Sequence, residues 1–255
     1  MSKTQGRFVW YELMTTDTEG AKAFYKAVVG WDVQDMPMPG MTYTILSIGG
    51  TQVAGLMARP EMAKNTPPAW FGYVAVDDVD ASAEQAKKLG GQVHVPPTDI
   101  PNVGRFSMIA DPQGAVISLF KAPQQPEEYP MSAPARVGWH ELMSADASKG
   151  FDFYSKMFGW VKSDAMDMGP MGTYQMFKRD GAEFATGGMM NKPKEVPASF
   201  WSYYFTVPSI DAAIGRLTKA GGKVINGPME VPGSMWIVQG MDPQGAMFSL
   251  LGPKS

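Results

Sequence analysis

Residues 10–14 read Trp-Tyr-Glu-Leu-Met, and residues 139–143 read Trp-His-Glu-Leu-Met, at an offset of 139 − 10 = 129. The dipeptide Phe-Tyr at 24–25 returns at 153–154 with the same offset. Matches that keep their order and spacing over this distance indicate a duplicated structural unit.

A second repeat fixes the extent of the duplication. Asp-Pro-Gln-Gly-Ala at 111–115 returns at 242–246, an offset of 242 − 111 = 131, so the copies differ in length by two residues up to this point. Between the copies, residues 124–134 contain three prolines and no apolar period, which is typical of an exposed linker. We therefore predict a first domain at 1–123 and a second at 135–255.

Each copy contains a smaller pattern twice. An apolar strand pattern at 8–14 leads to a helical pattern that starts at Asp17 and is closed by Gly30. A strand pattern at 70–76 leads to a second helical pattern from Asp77, closed by two glycines. Since Asp caps free N–H groups and Gly accepts left-handed dihedrals, these residues suit the helix ends. Three short strands follow each helix, so we predict an α+β fold of four βαβββ units.

Composition limits the classes of function. The 255 residues carry a net charge of −3 without a Lys/Arg run, which disfavours nucleic acid and anionic membranes as partners. The chain has no cysteine, which removes disulfides, thiolate metal sites and cysteine nucleophiles. No signal-peptide core and no run of ~18 apolar residues is present, so we expect a cytoplasmic protein.

These motifs together resemble the vicinal oxygen chelate superfamily of glyoxalases, bleomycin resistance proteins and dioxygenases. They are the helix starts from Asp17 to Tyr25 and from Asp146 to Tyr154, each ending in Phe-Tyr, then Gly-Trp at 30–31 and 159–160, and the two Asp-Pro-Gln-Gly turns. The resemblance covers nearly the whole chain outside the linker. It implies two open, curved β-barrels, or cups, with helices on the outer face and a metal ion and small substrate in the cup.

The resemblance also implies where the metal ligands stand. One lies seven residues before the Asp that starts the helix, and another seven residues after the Asp of the turn. Those positions hold Trp10 and Ser118 in the first copy and Trp139 and Ser249 in the second. The remaining positions fall near Gly55, Phe71, Gly187 and Ser202. Since divalent metals need several converging N or O donors, we expect no metal and no cofactor.

A glutamate accompanies each of the two tryptophans. If Trp10 points into the cup, strand alternation places Phe8, Glu12 and Met14 there too, and Glu141 enters the second cup by the same parity. A carboxylate in an apolar cup is a candidate general acid or base, because lost hydration raises its pKa. The alternative, that both glutamates bind backbone or hydroxyl groups to stabilise the barrel, carries more weight.

The remaining candidates are aromatic, hydroxyl and thioether side chains. His140 and His94 are expected to be a packed or edge residue and an exposed strand residue. Two methionine-rich segments, 36–41 and 166–171, favour a lid over an apolar ligand, with Cu(I) binding as an alternative. The candidate ligand-binding residues are Trp139, Ser202, Tyr204, Ser249, Tyr174, Trp10, Phe71, Ser118 and Tyr43.

Two kinds of function fit this pattern, and a third possibility is that one cup is vestigial and serves only as scaffold. In the first, a cup binds a small, largely apolar or aromatic organic molecule without a metal. In the second, a cup glutamate supports a metal-independent lyase or isomerase reaction of the glyoxalase type, rather than iron-dependent dioxygenation. The sequence leaves open whether a reaction occurs, which cup is used and which molecule binds, and we expect a monomer or homodimer.

Overall fold

The computed structural model describes residues 2, 4–38, 40–124 and 128–255. In the first copy, the elements are β1 (Phe8–Thr15), α1 (Thr18–Val28), β2 (Asp32–Met38), β3 (Met41–Ile48), β4 (Thr51–Ala58), β5 (Ala69–Ala75), α2 (Val79–Lys88), β6 (Gln92–Ile100), β7 (Gly104–Ala110) and β8 (Val116–Lys121).

The second copy repeats this order. Its elements are β9 (Val137–Ser144), α3 (Ala147–Phe158), β10 (Trp160–Asp167), β11 (Thr173–Arg179), β12 (Gly187–Asn191), β13 (Phe200–Thr206), α4 (Ile210–Lys219), β14 (Lys223–Val231), β15 (Met235–Met241) and β16 (Met247–Gly252). Short 3₁₀ helices lie at Glu61–Ala63 and Gly169–Met171. Within the described residues, no helix has the length and apolar character needed to cross a bilayer.

The strands of each copy form one curved, open eight-stranded sheet. The orders are β2-β3-β4-β1-β5-β8-β7-β6 and β10-β11-β12-β9-β13-β16-β15-β14, so the second sheet repeats the first. Strands β1 and β4 run parallel, as do β5 and β8, while the β2–β3–β4 and β6–β7–β8 pairs are antiparallel. The predicted α+β class and its four βαβββ units are confirmed.

The chain forms two compact units, and each draws on both sequence copies. The first unit consists of Met1–Val9, Gly72–Glu128 and His140–Trp201. The second consists of Trp10–Phe71, Tyr129–Trp139 and Ser202–Ser255. Residues 125–127 of the predicted linker lie outside the described residues, and the domain boundary there stays a prediction.

The helix ends follow the chemistry expected from the sequence, with one correction. The Asp17 carboxylate accepts a hydrogen bond from the Gly20 N–H, and Gly30 takes a φ of 93° after the last turn of α1. The second helix is capped by Asp78, whose carboxylate accepts from the Ala81 N–H. The prediction of Asp77 was therefore wrong by one residue, because its neighbour has the extended dihedrals that a cap requires.

Phe8 also lies elsewhere than strand alternation predicted. Its ring stacks on the His140 ring with centroids 3.8 Å apart and packs at 5.6 Å from Trp160, in the buried core of the first unit. The predicted position in the cup with Trp10 was therefore wrong. Phe8 is the first residue of β1, where the strand begins and the neighbouring aromatic cluster decides the direction of the ring.

In the second unit, the tyrosine of α1 binds the aspartate of the turn from the other copy. The Tyr25 hydroxyl donates to Asp242 Oδ2 at 3.0 Å and accepts from the Trp70 indole N–H at 2.8 Å. All three side chains are buried, and burial raises the pKa of the Asp242 carboxyl. The Phe-Tyr motif and the Asp-Pro-Gln-Gly turn, recognised separately in the sequence, thus meet across the copies.

The first unit contains the reciprocal contact. The Tyr154 hydroxyl accepts from the Trp201 indole N–H at 2.9 Å, and its side chain partly offsets the rise in the pKa of the Asp111 carboxyl that burial causes. In addition, the Gln113 side chain donates to the Asp146 carbonyl at 2.9 Å and accepts from its N–H at 2.5 Å. The turn of the first copy therefore holds the beginning of α3 from the second.

The Tyr–Asp contacts predict matched losses of stability. Replacement Tyr25→Phe leaves the Trp70 N–H without its acceptor and Asp242 with one donor fewer, and Tyr154→Phe leaves the Trp201 N–H without its acceptor in the other unit. We expect each to lower the free energy of unfolding by about 1–3 kcal/mol. Denaturant unfolding at pH 7 measures this, and losses below about 0.5 kcal/mol in both variants would contradict a stabilising role.

Candidate functional site

Each sheet has one face covered by helices and one that we call the helix-free face. On the covered face, Leu142 faces Gly150 of α3 so closely that a Cβ on the glycine would lie 3.1 Å from the leucine Cδ2. Because strand neighbours alternate, Glu141 lies on the helix-free face of its sheet, and Glu12 does so in the first copy. Both glutamate residues are nevertheless only 6% exposed, in agreement with the sequence-based argument for a desolvated carboxylate.

A directed chain of hydrogen bonds joins three predicted site residues in the second unit. The Trp10 indole N–H donates to the Tyr43 hydroxyl oxygen at 3.0 Å, and that hydroxyl donates to Glu12 Oε2 at 2.9 Å. An indole can only donate, so the tyrosine oxygen accepts and its proton points to the carboxylate. The hydrogen-bonded series therefore ends on a carboxylate, a group that in its ionised form only accepts hydrogen bonds.

Tyr43 reaches Glu12 because the strand beside it carries a glycine. Gly55 is opposite Glu12 in the β1–β4 register, and a Cβ on Gly55 would overlap with the Tyr43 hydroxyl. Burial, and secondarily the charge of Glu12, raise the pKa of Tyr43 far above its usual value. The phenol therefore stays neutral and serves as a hydrogen-bond donor at physiological pH.

The second copy has the same arrangement in the first unit. Gly188 is opposite Glu141 in the β9–β12 register, and a Cβ on Gly188 would overlap with the Tyr174 ring and hydroxyl. The glycine opposite Glu141 is Gly188, next to the position near Gly187 inferred from the sequence, and Gly187 itself pairs with His140 on the covered face. A tyrosine over a glycine, beside a buried glutamate, is thus repeated.

The other predicted residues of the second copy form two polar pairs in the second unit. The Ser202 and Ser249 hydroxyls lie 2.9 Å apart and are buried. The Gln239 amide donates to the Tyr204 hydroxyl at 3.1 Å, and Gln239 in turn accepts from Asn226 at 3.1 Å. Sequence analysis missed Gln239, which only the β15–β16 register, pairing it with Ser249, could have indicated.

The corresponding strands of the first copy are aromatic. In the first unit, the Tyr73 ring lies 6.0 Å from Phe120 and 6.4 Å from Phe106, measured between ring centroids. Ser118 is fully buried, and within the described residues its hydroxyl has no hydrogen-bond partner. Two further candidates, Phe71 and Trp139, are half-buried on their strands.

The described side chains do not fit the metal centre that the family resemblance implies. Trp10 presents an indole N–H that is already donated to Tyr43, and Gly55 has no side chain. Ser249 is bonded to Ser202, which leaves Ser118 as an isolated neutral hydroxyl. Within residues 2, 4–38, 40–124 and 128–255, no three His, Cys, Asp or Glu side chains converge as a metal site requires.

The histidines occupy the places expected of structural residues. His140 is 4% exposed, and its Nδ1 lies 2.8 Å from the Thr186 carbonyl oxygen. Burial lowers the pKa of His140 to about 4, so the ring is neutral at pH 7. His94 is exposed on β6.

The methionine-rich segments are more regular than predicted. In the first copy, Met36 and Met38 lie in β2 and Met41 begins β3, so a hairpin replaces the expected loop. Pro39 of this segment lies outside the described residues. In the second copy, Met166 lies in β10 and Met171 ends a short 3₁₀ helix. No contact among the described residues tests a lid or a Cu(I) role.

A cavity of about 330 Å³ opens at the start of α3, away from the predicted site residues. Two of its polar side chains are already paired: Asn191 accepts from the Ala147 N–H at 2.8 Å, and the Asp146 carboxylate accepts from the Lys149 N–H at 3.1 Å. The Lys162 ammonium lies 5.2 Å from the centroid of the Phe151 ring. The Asn191 and Asp146 side chains are therefore engaged in hydrogen bonds within the protein, and Lys162 lies over an aromatic ring.

Comparison with known proteins gives a family and a set of relatives. The family model described as the Glyoxalase/Bleomycin resistance protein/Dioxygenase superfamily matches residues 7–119 and 136–250. A Mycobacterium tuberculosis (strain CDC 1551 / Oshkosh) protein named "Putative glyoxylase CFP32" is 35% identical over 252 residues, 98% of this chain and 95% of the relative. "Anthracycline biosynthesis protein DnrV" of Streptomyces peucetius is 28% identical over 259 residues, 96% and 93% of the two chains.

Solved structures share the fold. The Mn(II)-bound glyoxalase from Novosphingobium aromaticivorans aligns with a TM-score of 0.65 at 17% identity, over 99% of this chain and 83% of that one. The 2,2',3-trihydroxybiphenyl 1,2-dioxygenase from Sphingomonas wittichii strain RW1 aligns with a TM-score of 0.66 at 16% identity, over 98% and 91%. At these identities, the likeness establishes the architecture, and the arrangement of side chains must be argued from this chain.

The buried His140 predicts a specific dependence of stability on pH. Its folded pKa of about 4 lies below the ordinary value of 6.5, so the neutral ring stabilises the fold above pH 6.5. That contribution, about 3 kcal/mol from the shift, is lost as pH falls from 6.5 to 4. Denaturant unfolding between pH 7 and pH 4 should therefore be less pH-dependent in His140→Gln than in the wild type. His94→Gln is the control, and equal pH dependence in all three proteins would refute the assignment.

Proposed function

Since the chain belongs to the glyoxalase/bleomycin resistance protein/dioxygenase superfamily, we propose that it binds a small, largely apolar or aromatic organic molecule without a metal ion. The observation that carries this proposal is the series of hydrogen bonds from Trp10 through Tyr43 to Glu12. It stands where the resemblance implies a metal ligand, and it offers a hydrogen-bond acceptor among aromatic and thioether groups. In such a site, a few polar contacts fix the orientation of the ligand, and burial of apolar surface provides most of the binding energy.

Two further observations support an organic ligand. The Tyr174–Gly188–Glu141 arrangement repeats the first, so the polar contact is a feature of both copies. The names of the relatives, a glyoxylase and an anthracycline biosynthesis protein, both refer to transformations of small organic molecules. We further propose a cytoplasmic protein that acts as a monomer or homodimer.

A second candidate function is metal-independent lyase or isomerase chemistry with a glutamate as acid or base. The observation that favours it is the bond from the Tyr43 hydroxyl to Glu12, because a positioned neutral phenol beside a buried carboxylate resembles an acid–base pair. In this scheme, Glu12 or Glu141 accepts a proton from a carbon next to a carbonyl group and returns it to a neighbouring atom. The oxidation state of the substrate is unchanged, so no electron acceptor is needed.

Glutamine variants test both functions. Glu12→Gln and Glu141→Gln retain shape but replace a charged acceptor with a neutral amide, so we expect each to weaken binding of a hydroxylated aromatic compound at its own site ~10- to 100-fold. Equilibrium dialysis gives the affinity, and Glu61→Gln, in the exposed ion pair with Lys64, is the matched control. Unchanged affinity in both variants would contradict the binding proposal.

The same variants separate binding from catalysis. If 2-oxoaldehyde or aromatic substrates are turned over, and Glu141→Gln or Glu12→Gln keeps substrate affinity while turnover falls, the acid–base function is correct. A protein that binds these compounds without turning them over, and loses affinity in the variants, has the binding function alone.

Metal removal provides an independent test. We expect elemental analysis of the purified protein to show far less than one equivalent of iron, zinc, nickel or manganese per chain. Dialysis against a chelator should leave the affinity for the aromatic compound unchanged, because Tyr43 and Glu12 need no ion to hold their geometry. A stoichiometric metal whose loss abolishes binding would contradict a metal-free site.

A further inference from the structure

The methionines of the first copy form a row across four neighbouring strands. Met14 of β1 is opposite Met57 of β4, Met57 is opposite Tyr43 of β3, and Tyr43 is opposite Met36 of β2. Directly opposed residues share a face of the sheet, so all four side chains lie on the helix-free face. Tyr43 is the residue that also donates to Glu12, so the row passes beside the carboxylate.

The second copy contains the same row in the first unit. Met143 of β9 is opposite Met190 of β12, and Tyr174 of β11 is opposite Met166 of β10. Continuing the β11–β12 register by one residue places Tyr174 opposite Met190. The row again reads Met-Met-Tyr-Met, although the sequence offsets between equivalent residues are 143 − 14 = 129, 190 − 57 = 133, 174 − 43 = 131 and 166 − 36 = 130.

The length of the row indicates the size and shape of the ligand. Neighbouring strands lie ~4.8 Å apart, so four side chains in register extend over ~14 Å. This length suits three or four fused rings, whereas a single ring would contact only one or two members. Thioethers are polarizable and adapt to flat aromatic surfaces, and they favour contact with ring edges and faces.

The charge of the site selects the substituent. The Trp10–Tyr43 chain ends on a carboxylate, and the equivalent tyrosine lies over Gly188, which is opposite Glu141 in the second copy. A carboxylate accepts hydrogen bonds and repels anionic groups, so a neutral ligand hydroxyl is its complement. An ether or an ionised phenol at that position has no proton to donate.

From these observations we infer that each copy holds its own ligand, a flat molecule of three or four fused aromatic rings whose hydroxyl donates to Glu12 or Glu141. The inference rests on the proposed binding function and adds the ligand class and a stoichiometry of two. Met36 and its neighbours contact the ring system, and the glutamate fixes its orientation. The repetition of both features in strands of unequal spacing argues against a single vestigial copy.

The first experiment counts ligands. We expect titration of the full chain with 2,6-dihydroxyanthraquinone at pH 6, followed by calorimetry or absorbance, to give two sites per chain. The dimethyl ether of the same compound should bind ~10-fold or more weakly, because it cannot donate to the carboxylates. One site in the wild type, or equal binding of the ether, would overturn the inference.

Variants then assign the sites. Met14→Gln with Met36→Gln should remove the first site and leave one ligand per chain, and Met143→Gln with Met166→Gln should remove the second. The single variant Met36→Gln is a safeguard, since that side chain is 46% exposed and its replacement leaves the core intact. It should weaken one site several-fold and leave the other unchanged.

Controls separate this inference from the broader proposal. Met62→Gln changes an 85% exposed methionine outside both rows and should leave both sites intact. If a smaller aromatic compound binds but the fused-ring probe does not, the ligand class is wrong and the proposed function stands. If no apolar or aromatic compound binds, the proposed function itself fails.

Discussion

The hydrogen bond between a helix tyrosine of one copy and a turn aspartate of the other is the contact on which the rest of the structure depends. Tyr25 donates to Asp242 in one unit, and in the other the Tyr154 side chain helps to lower the pKa of the buried Asp111 carboxyl. Each carboxylate is buried and also accepts from backbone N–H groups of its own turn, such as those of Gln244 and Ala246 at Asp242. Loss of the tyrosine would leave a desolvated charge with fewer donors, which is costly.

These contacts position the candidate site through the sheet. Tyr25 fixes α1, and α1 packs on β4, whose other face carries Gly55. The missing side chain at Gly55 admits the Tyr43 hydroxyl, which then reaches Glu12. The core contact at Tyr25 and the hydrogen bond at Glu12 are thus connected through α1 and β4.

The repeat, the fold class and the two glutamates could be predicted because each depends on a local pattern. Because alternate residues of a strand share a face, Glu12 could be assigned to the same face as Trp10. The duplication then assigned Glu141 to the equivalent position in the second copy. Alternation failed at Phe8, where the strand begins and an aromatic cluster attracts the ring. The alternation of apolar and polar residues does not show that the ring of Phe8 leaves the face of the strand that carries Trp10.

Other features depend on register, which the sequence specifies poorly. The sequence placed the second-copy glycine only near Gly187, because the offset from Gly55 to Gly188 is 188 − 55 = 133, whereas the flanking motifs give 129 and 131. The loop between β11 and β12 is longer than its counterpart, and the extra residues fall there. The methionine rows could not be predicted from the sequence for the same reason, since their members come from four strands with four different offsets.

The site depends on a combination of three residues, Trp10, Tyr43 and Gly55. Together they leave a carboxylate, rather than a metal cation, at the end of the hydrogen-bonded series. A ligating side chain at Gly55 would need the volume that the Tyr43 hydroxyl fills, and a histidine in place of Trp10 could accept the proton that now points to Glu12. A metal cation stabilises negative charge on a ligand oxygen, whereas a carboxylate destabilises it and favours a group that donates a proton. In the proposed function, the charge on Glu12 is therefore opposite in sign to that of the Mn(II) bound by a solved relative with the same fold.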